Sequence, residues 1–202
     1  MENRIAASAV LSLIAFLGCG GTPTTAKKEK KAVEPIGGQT AFFRMYRMAQ
    51  SWAPDPQAYK CEAIRLEVLA AKDGKFPAWR CQFVSATRRT QRFYTYSVVE
   101  AEGIHEGVFA EAETSWSGPS GQNLPFIVQA FKIDSPAALK TALEKGKDYS
   151  RKHPDIPITF QVEKVKQFGN PVWRVIWGTS ASASNFSIYV DASSGEYMQT
   201  MH

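Results

Sequence analysis

The residue types that usually perform catalysis or ligate metals are few in this chain of 202 residues. Its histidines have no second histidine or cysteine at metal-ligand spacing, which argues against a zinc site. The chain has no Gly-x-Ser-x-Gly nucleophile elbow, phosphate-binding loop or Gly-x-Gly-x-x-Gly fingerprint. We therefore predict that the protein is not an enzyme and uses no metal or cofactor. The histidines are His105, His153 and His202.

Acidic side chains cluster between positions 100 and 113. Paired carboxylates could bind calcium or exchange protons, but both tasks require convergent geometry, and the spacing matches no calcium loop. The segment 191–196 has the Asp and Gly that a turn requires. We interpret the cluster as a solvated strand edge and turn, and 191–196 as a turn between strands. The cluster consists of Glu100, Glu102, Glu106, Glu111 and Glu113.

Cys19 follows an uncharged apolar segment, residues 5–17, and the small residue Gly18. The segment is shorter than the roughly 20 residues that span a bilayer, but it suits the core of a signal peptide. This arrangement resembles the bacterial lipoprotein signal, which implies removal of residues 1–18 and lipidation of Cys19. An ordinary secretory signal followed by a chance cysteine is the alternative.

Cys61 and Cys81 are the cysteines that remain, and an exported protein enters a compartment that favours disulfides. We predict that they bond. If Asp73 and Gly74 turn a hairpin, its register places Cys81 opposite about position 66. The bond would then need a bulge or a crossing from a neighbouring element.

Residues 19–38 are predicted to form a lipidated cysteine followed by a flexible tether, because they are rich in Gly, Thr, Pro and Lys and lack an apolar period. The formal net charge of the chain is +5. About +3 of it remains on residues 39–202, without the concentrated basic face of a nucleic-acid binder. We expect no nucleic-acid partner.

The remaining sequence divides into two similar halves. Residues 40–52 and 135–152 have apolar residues at helical spacing, and Ser135 and Pro136 suit a helix start. Strands with alternating apolar and polar residues follow each helix. A Pro-x-Trp-Arg segment recurs in both halves, and alternation places Trp79 and Trp173 in the core rather than in a ligand-binding cage. The predicted strands are 62–70, 77–86, 92–100 and 107–113 in the first half and 158–166, 171–180, 185–193 and 196–201 in the second.

This pattern predicts an α+β fold of two tandem modules, each one helix packed on a three- to four-stranded antiparallel sheet. Residues 127–134 are predicted as a further strand or a brace at the junction. The predicted domains are the signal peptide (1–18), the lipidated cysteine and tether (19–38), a first module (39–114), a turn-rich connector (115–134) and a second module (135–202).

The second module resembles the PepSY domain. The resemblance rests on the helix SPAALKTALEKG, the strand PVWRVIW and a closing V-D-x-x-[ST]-G-[EK] motif, and it covers residues 135–202. The first half fits loosely, with Gly103 retained and Val99 in place of the motif's aspartate. The tandem arrangement is similar to the two-repeat architecture of the β-lactamase inhibitory protein. The family implies location in the cell envelope, protein binding and proposed peptidase inhibition, without catalysis. The motif residues are Val190, Asp191, Ser194, Gly195 and Glu196.

Arginines mark the surfaces that we expect to bind a partner. The first half has a basic hairpin tip where the second half has no charge, so the fold does not require those arginines. A solubilising tip is the alternative. Behind the tryptophans, alternation places Arg80 and Arg174 on the opposite face of the sheet, together with an exposed Tyr189. The predicted binding residues are Arg80, Arg88, Arg89, Arg92, Arg174 and Tyr189.

These patterns predict a non-enzymatic, lipid-anchored binding protein of the bacterial cell envelope, at the outer membrane facing the periplasm. Its partners are the membrane, through the lipid anchor, and a protein, for which the resemblance suggests a peptidase that is inhibited or a protein that is scaffolded. The alternative is a structural subunit of an envelope assembly.

Overall fold

The computed structural model describes residues 32–202. The predicted signal peptide, the lipidation site Cys19 and most of the predicted tether lie outside the described residues. Ile36, near the end of that tether, forms a β-bridge with Phe76. Among residues 32–202, no helix is long and apolar enough to cross a membrane.

Antiparallel strands form one sheet. In the first half and the connector, the strands are β1 Gln57–Ile64, β2 Ala78–Ser85, β3 Thr90–Ser97, β4 Gly107–Ala110, β5 Thr114–Ser115 and β6 Asn123–Leu124. In the second half they are β7 Ile158–Val165, β8 Val172–Trp177, β9 Phe186–Asp191 and β10 Tyr197–Met201. The strand order is β10-β9-β8-β7-β1-β2-β3-β4, with β5 paired to β3 and β6 paired to β7.

The prediction of two tandem helix-on-sheet modules is wrong, because one ten-stranded sheet runs through both halves of the chain. β1 of the first half and β7 of the second half pair antiparallel, residues 60–62 with residues 161–163. On their other sides, β1 pairs with β2 and β7 pairs with β8. Joining the two remaining edges satisfies backbone groups that two separate sheets would leave exposed.

In the part of the chain that the structure describes, three α-helices accompany the sheet: α1 Gly38–Trp52, α2 Ser135–Lys145 and α3 Lys147–Lys152. The second predicted helix is interrupted at Gly146, where an added Cβ would lie 3.1 Å from the side chains of Ile188 and Trp177. The predicted further strand at 127–134 contains instead a 3-10 turn, Val128–Ala130.

The N-termini of α1 and α2 meet at Asp134, which is the N-cap of α2 in place of the predicted Ser135. Oδ1 of Asp134 accepts hydrogen bonds from the backbone NH of Gln39, at 2.8 Å, and of Ser135, at 2.7 Å. The Ser135 hydroxyl accepts from the NH of Gly38 and donates to the carbonyl of Gly74. One carboxylate therefore offsets the unsatisfied donors at the start of both helices.

α1 and α2 lie on the same face of the sheet and enclose the hydrophobic core. Trp79 and Trp173 meet there with ring centroids 5.9 Å apart, and both are fully buried. Each indole NH donates to a backbone carbonyl just before one of the helices, that of Ile36 or that of Ile133. The prediction that these tryptophans belong to the core is confirmed, and the two halves share that core.

The predicted disulfide is present, and Cys61 and Cys81 are direct partners in the β1–β2 ladder. The predicted register was wrong by five residues. Asp73 and Gly74 do turn the chain with positive φ, but this turn closes only a small bridge between Lys72 and Lys75. β1 therefore ends at Ile64, instead of covering the predicted 62–70.

Candidate protein-binding face

The side of the sheet opposite α1 and α2 is called the helix-free face here. It carries one register row that crosses eight strands and both halves of the chain. Neighbouring members are paired across each strand boundary, so the row needs no loop to hold it in place. We call it the polar row. Its members, from β10 to β4, are Gln199, Tyr189, Arg174, Gln161, Glu62, Arg80, Thr95 and Phe109.

Arg80 forms a complete ion pair within the first half. Its Nε and one terminal nitrogen donate to the two carboxylate oxygens of Glu111, each at 2.8 Å. The guanidinium also lies 4.1 Å from the centroid of the Phe93 ring, within cation–π range. The hydrogen bonds to Glu111 raise the pKa of Arg80. About a third of each charged side chain is exposed, so the pair faces solvent on the helix-free face.

Arg174 has a different environment in the second half. Its Nε donates to the hydroxyl of Ser187 at 3.0 Å, and the guanidinium lies 5.8 Å from the Tyr189 ring centroid. Within residues 32–202, no carboxylate oxygen lies within 4 Å of this guanidinium. Arg174 therefore retains donors that the ion pair of Arg80 uses internally.

Tyr189 is buried, at 6% exposure, and is not the exposed residue that alternation suggested. It packs with Val165, Val172 and Phe168 in a small apolar cluster on the helix-free face. Burial raises the pKa of Tyr189, and the nearby Glu163 carboxylate raises it further. The phenol therefore stays neutral, and its ring lies beside the guanidinium of Arg174.

Polar side chains fill the middle of the face, where the halves join. Lys60 and Glu62 form an ion pair at 2.6 Å. Glu163 is only 4% exposed and accepts hydrogen bonds from the side-chain amides of Gln161, at 2.6 Å, and Asn123, at 2.9 Å. These donors offset the cost of burying its carboxylate. The predicted residues Arg80 and Arg174 thus lie on either side of a hydrogen-bonded polar cluster.

The basic hairpin lies elsewhere and is largely committed to internal contacts. Arg88 donates to both carboxylate oxygens of Glu113 and to the backbone carbonyl of Trp52. Arg92 projects to the helix side, 3.9 Å from Glu113. Arg89, at positive φ, is exposed at the tip. The fold therefore separates these three arginines from Arg80 and Arg174.

The acidic cluster is partly structural, which sequence reasoning missed. Glu111 and Glu113 pair with arginines, and Glu100 accepts from the backbone NH of Glu106, which lowers its pKa. The sequence did contain a sign of this pairing, because the acidic cluster and most of the arginines lie in the same half of the chain. In residues 32–202, no group of three or more His, Cys, Asp or Glu side chains could hold a metal ion.

The turn at 191–196 is confirmed. Oδ1 of Asp191 accepts from the backbone NH of Ser193 and Ser194, and Gly195 has a φ of 82°. These residues of the closing motif therefore terminate β9 and start β10, as a turn requires.

No protein-family model matches the chain, and no curated protein or solved structure matches it either.

Proposed function

We propose that this protein is a non-enzymatic, lipid-anchored binding protein of the bacterial cell envelope, with the helix-free face as its contact surface for a protein partner. The observation that carries the proposal is the polar row, because it places arginine, aromatic and amide side chains from both halves on one face of the sheet. Thr95, Gln161 and Tyr189 are buried within it, and the other five members reach solvent. Arginine and aromatic residues are enriched at protein interfaces. The PepSY-like features of residues 135–202 support a peptidase as the partner, held inactive by contact.

The two arginines provide the test. Arg80→Ala and Arg174→Ala should each reduce capture of the partner from envelope extracts, while the melting temperature changes by only a few degrees, because both side chains lie at the surface. Lys140→Ala, on α2 at the opposite face of the sheet, is the matched control and should retain capture. Equal capture by all variants would contradict the proposed face. A peptidase that is inhibited in proportion to added protein would support inhibition, and a persistent complex without inhibition would support scaffolding.

The lipid anchor rests on the motif that ends at Cys19. Cys19→Ser should abolish incorporation of labelled fatty acid and move the protein from the membrane to the soluble fraction. Unchanged fractionation would show that the motif is a chance cysteine after a secretory signal.

A further inference from the structure

The seam between the two halves is short. β1 and β7 contain eight residues each, but they pair only through residues 60–62 and 161–163. By contrast, six residue pairs join β7 to β8, and eight join β2 to β3. β1 and β7 therefore diverge at both ends of their ladder, and beyond it no strand pairing crosses the seam among residues 32–202.

One end of the seam is filled by an extended piece of the connector. Phe126 exchanges backbone hydrogen bonds with Ala58 of β1, at 2.8 and 3.2 Å. Three residues earlier, β6 pairs with Val165 and Lys164 of β7. The molecule thus contains a polypeptide segment that bonds to both diverging strands at once.

The other end of the seam is a cleft of about 530 Å³ that opens on the helix-free face. Here Ala63 and Ile64 pair only with β2, and residues 158–160 pair only with β8, among the described residues. Arg65 donates to the carbonyl of Ile158 at 2.6 Å, so a side chain bonds to this edge beyond the three-pair ladder. The cleft wall includes the hydroxyl groups of Thr159, Ser180 and Ser182. Its two charged members, Lys60 and Glu62, form an ion pair with each other.

We propose that this cleft binds a short extended segment of the partner protein, which adds backbone hydrogen bonds to the edges of β1 and β7 as the connector does at the opposite end. This inference rests on the proposed protein-binding function and names the partner's chemistry. The segment is an extended peptide with small, uncharged side chains at its centre, because Ile64, Ile176 and hydroxyl groups line the cleft and the lining charges of Lys60 and Glu62 neutralise each other. Addition of an extended segment to an exposed strand edge is an established mode of peptide recognition.

The test uses the folded chain and a displayed library of random peptides of about ten residues. A selected peptide, made synthetically, should slow amide hydrogen exchange in residues 62–65 and 158–161. Ser182→Trp places an indole in the cleft wall at an exposed loop position and should weaken this peptide about tenfold or more. Ser117→Trp, in the exposed connector loop, is the matched control and should leave the affinity unchanged.

Three outcomes would overturn the inference: no peptide is selected, the selected peptide protects other segments, or Ser182→Trp binds as well as Ser117→Trp does. The partner-capture assay separates this failure from failure of the proposed function. If Ser182→Trp still captures the partner while Arg80→Ala does not, the face binds a protein without inserting a segment into the seam.

Discussion

Arg80 and Arg174 occupy equivalent positions in the two halves of the chain, each directly after a core tryptophan, yet their environments differ. Arg80 is paired with Glu111 and stacked on Phe93, whereas Arg174 donates to a serine hydroxyl, lies near a buried tyrosine ring and has no ion pair within the described residues. The strand period decides which face each arginine occupies. The neighbouring segments decide which partners it meets: Glu111, directly after β4, pairs with Arg80, whereas Ser187 and Tyr189, within β9, contact Arg174. The repeated Trp-Arg pattern therefore builds a single face on which the charge of Arg80 is neutralised by an ion pair, whereas Arg174 retains guanidinium donors.

The two halves share one hydrophobic core, so substitutions there should have the largest effect on the free energy of unfolding. Trp79→Ala and Trp173→Ala should each lower the free energy of unfolding by about 3–5 kcal/mol, because each removes a fully buried indole from the shared core. Since the rings touch, the double variant should lose less than the sum of the two. Denaturant unfolding followed by far-UV circular dichroism measures both. Two separate transitions would show that the halves fold as independent modules.

The second-largest effect on stability is expected from the disulfide, which lies in the first half. At the position of the Cys61–Cys81 pair, the second half has the strand pair Phe160 and Val175, which has no covalent bond. Replacing both cysteines with alanine should lower the free energy of unfolding by about 3 kcal/mol, because the open loop gains conformational entropy in the unfolded state. Reducing the wild-type protein should lower its stability similarly, and an unchanged stability after reduction would contradict the account.

Asp134→Ala should have a smaller effect, of about 1–2 kcal/mol, because it removes one acceptor that serves the N-termini of both α1 and α2. Hydrogen exchange should quicken in the first turn of each helix. Glu144→Ala, at an exposed position on α2, is the matched control. If exchange quickens in α2 alone, the carboxylate does not join the halves.

The smallest changes in the free energy of unfolding are expected for the two arginine variants. Arg80→Ala should cost up to about 1 kcal/mol, since it breaks an ion pair whose side chains are about one-third exposed, and Arg174→Ala should cost less. Raising the salt concentration should shrink the cost of Arg80→Ala and leave that of Arg174→Ala nearly unchanged. Equal costs and equal salt dependence would remove the contrast between the two ends of the face.

Local patterns in the sequence predicted the strand faces well, because a period of two residues leaves only two choices for each side chain. Trp79, Trp173, Arg80 and Arg174 all lie on the expected sides. β1 was misplaced because residues 62–70 also alternate and the Asp73–Gly74 turn, although real, closes only a local bridge. The pairing of β1 with β7 joins residues about one hundred positions apart, and no local pattern encodes it. Glu111 was interpreted as solvated because its partner, Arg80, lies two strands away in the sheet.

The most direct test of the shared face places a photo-crosslinking amino acid at each end of the polar row, at Phe109 on β4 and at Gln199 on β10. Both positions are exposed, and each belongs to a different half of the chain. A third variant carries the crosslinker at Met48, which is exposed on the outer side of α1. We expect the crosslinkers at Phe109 and Gln199 to capture the same envelope protein and the crosslinker at Met48 not to capture it. Crosslinking of different proteins at the two ends, or of the same protein at Met48, would contradict a single binding face built by both halves.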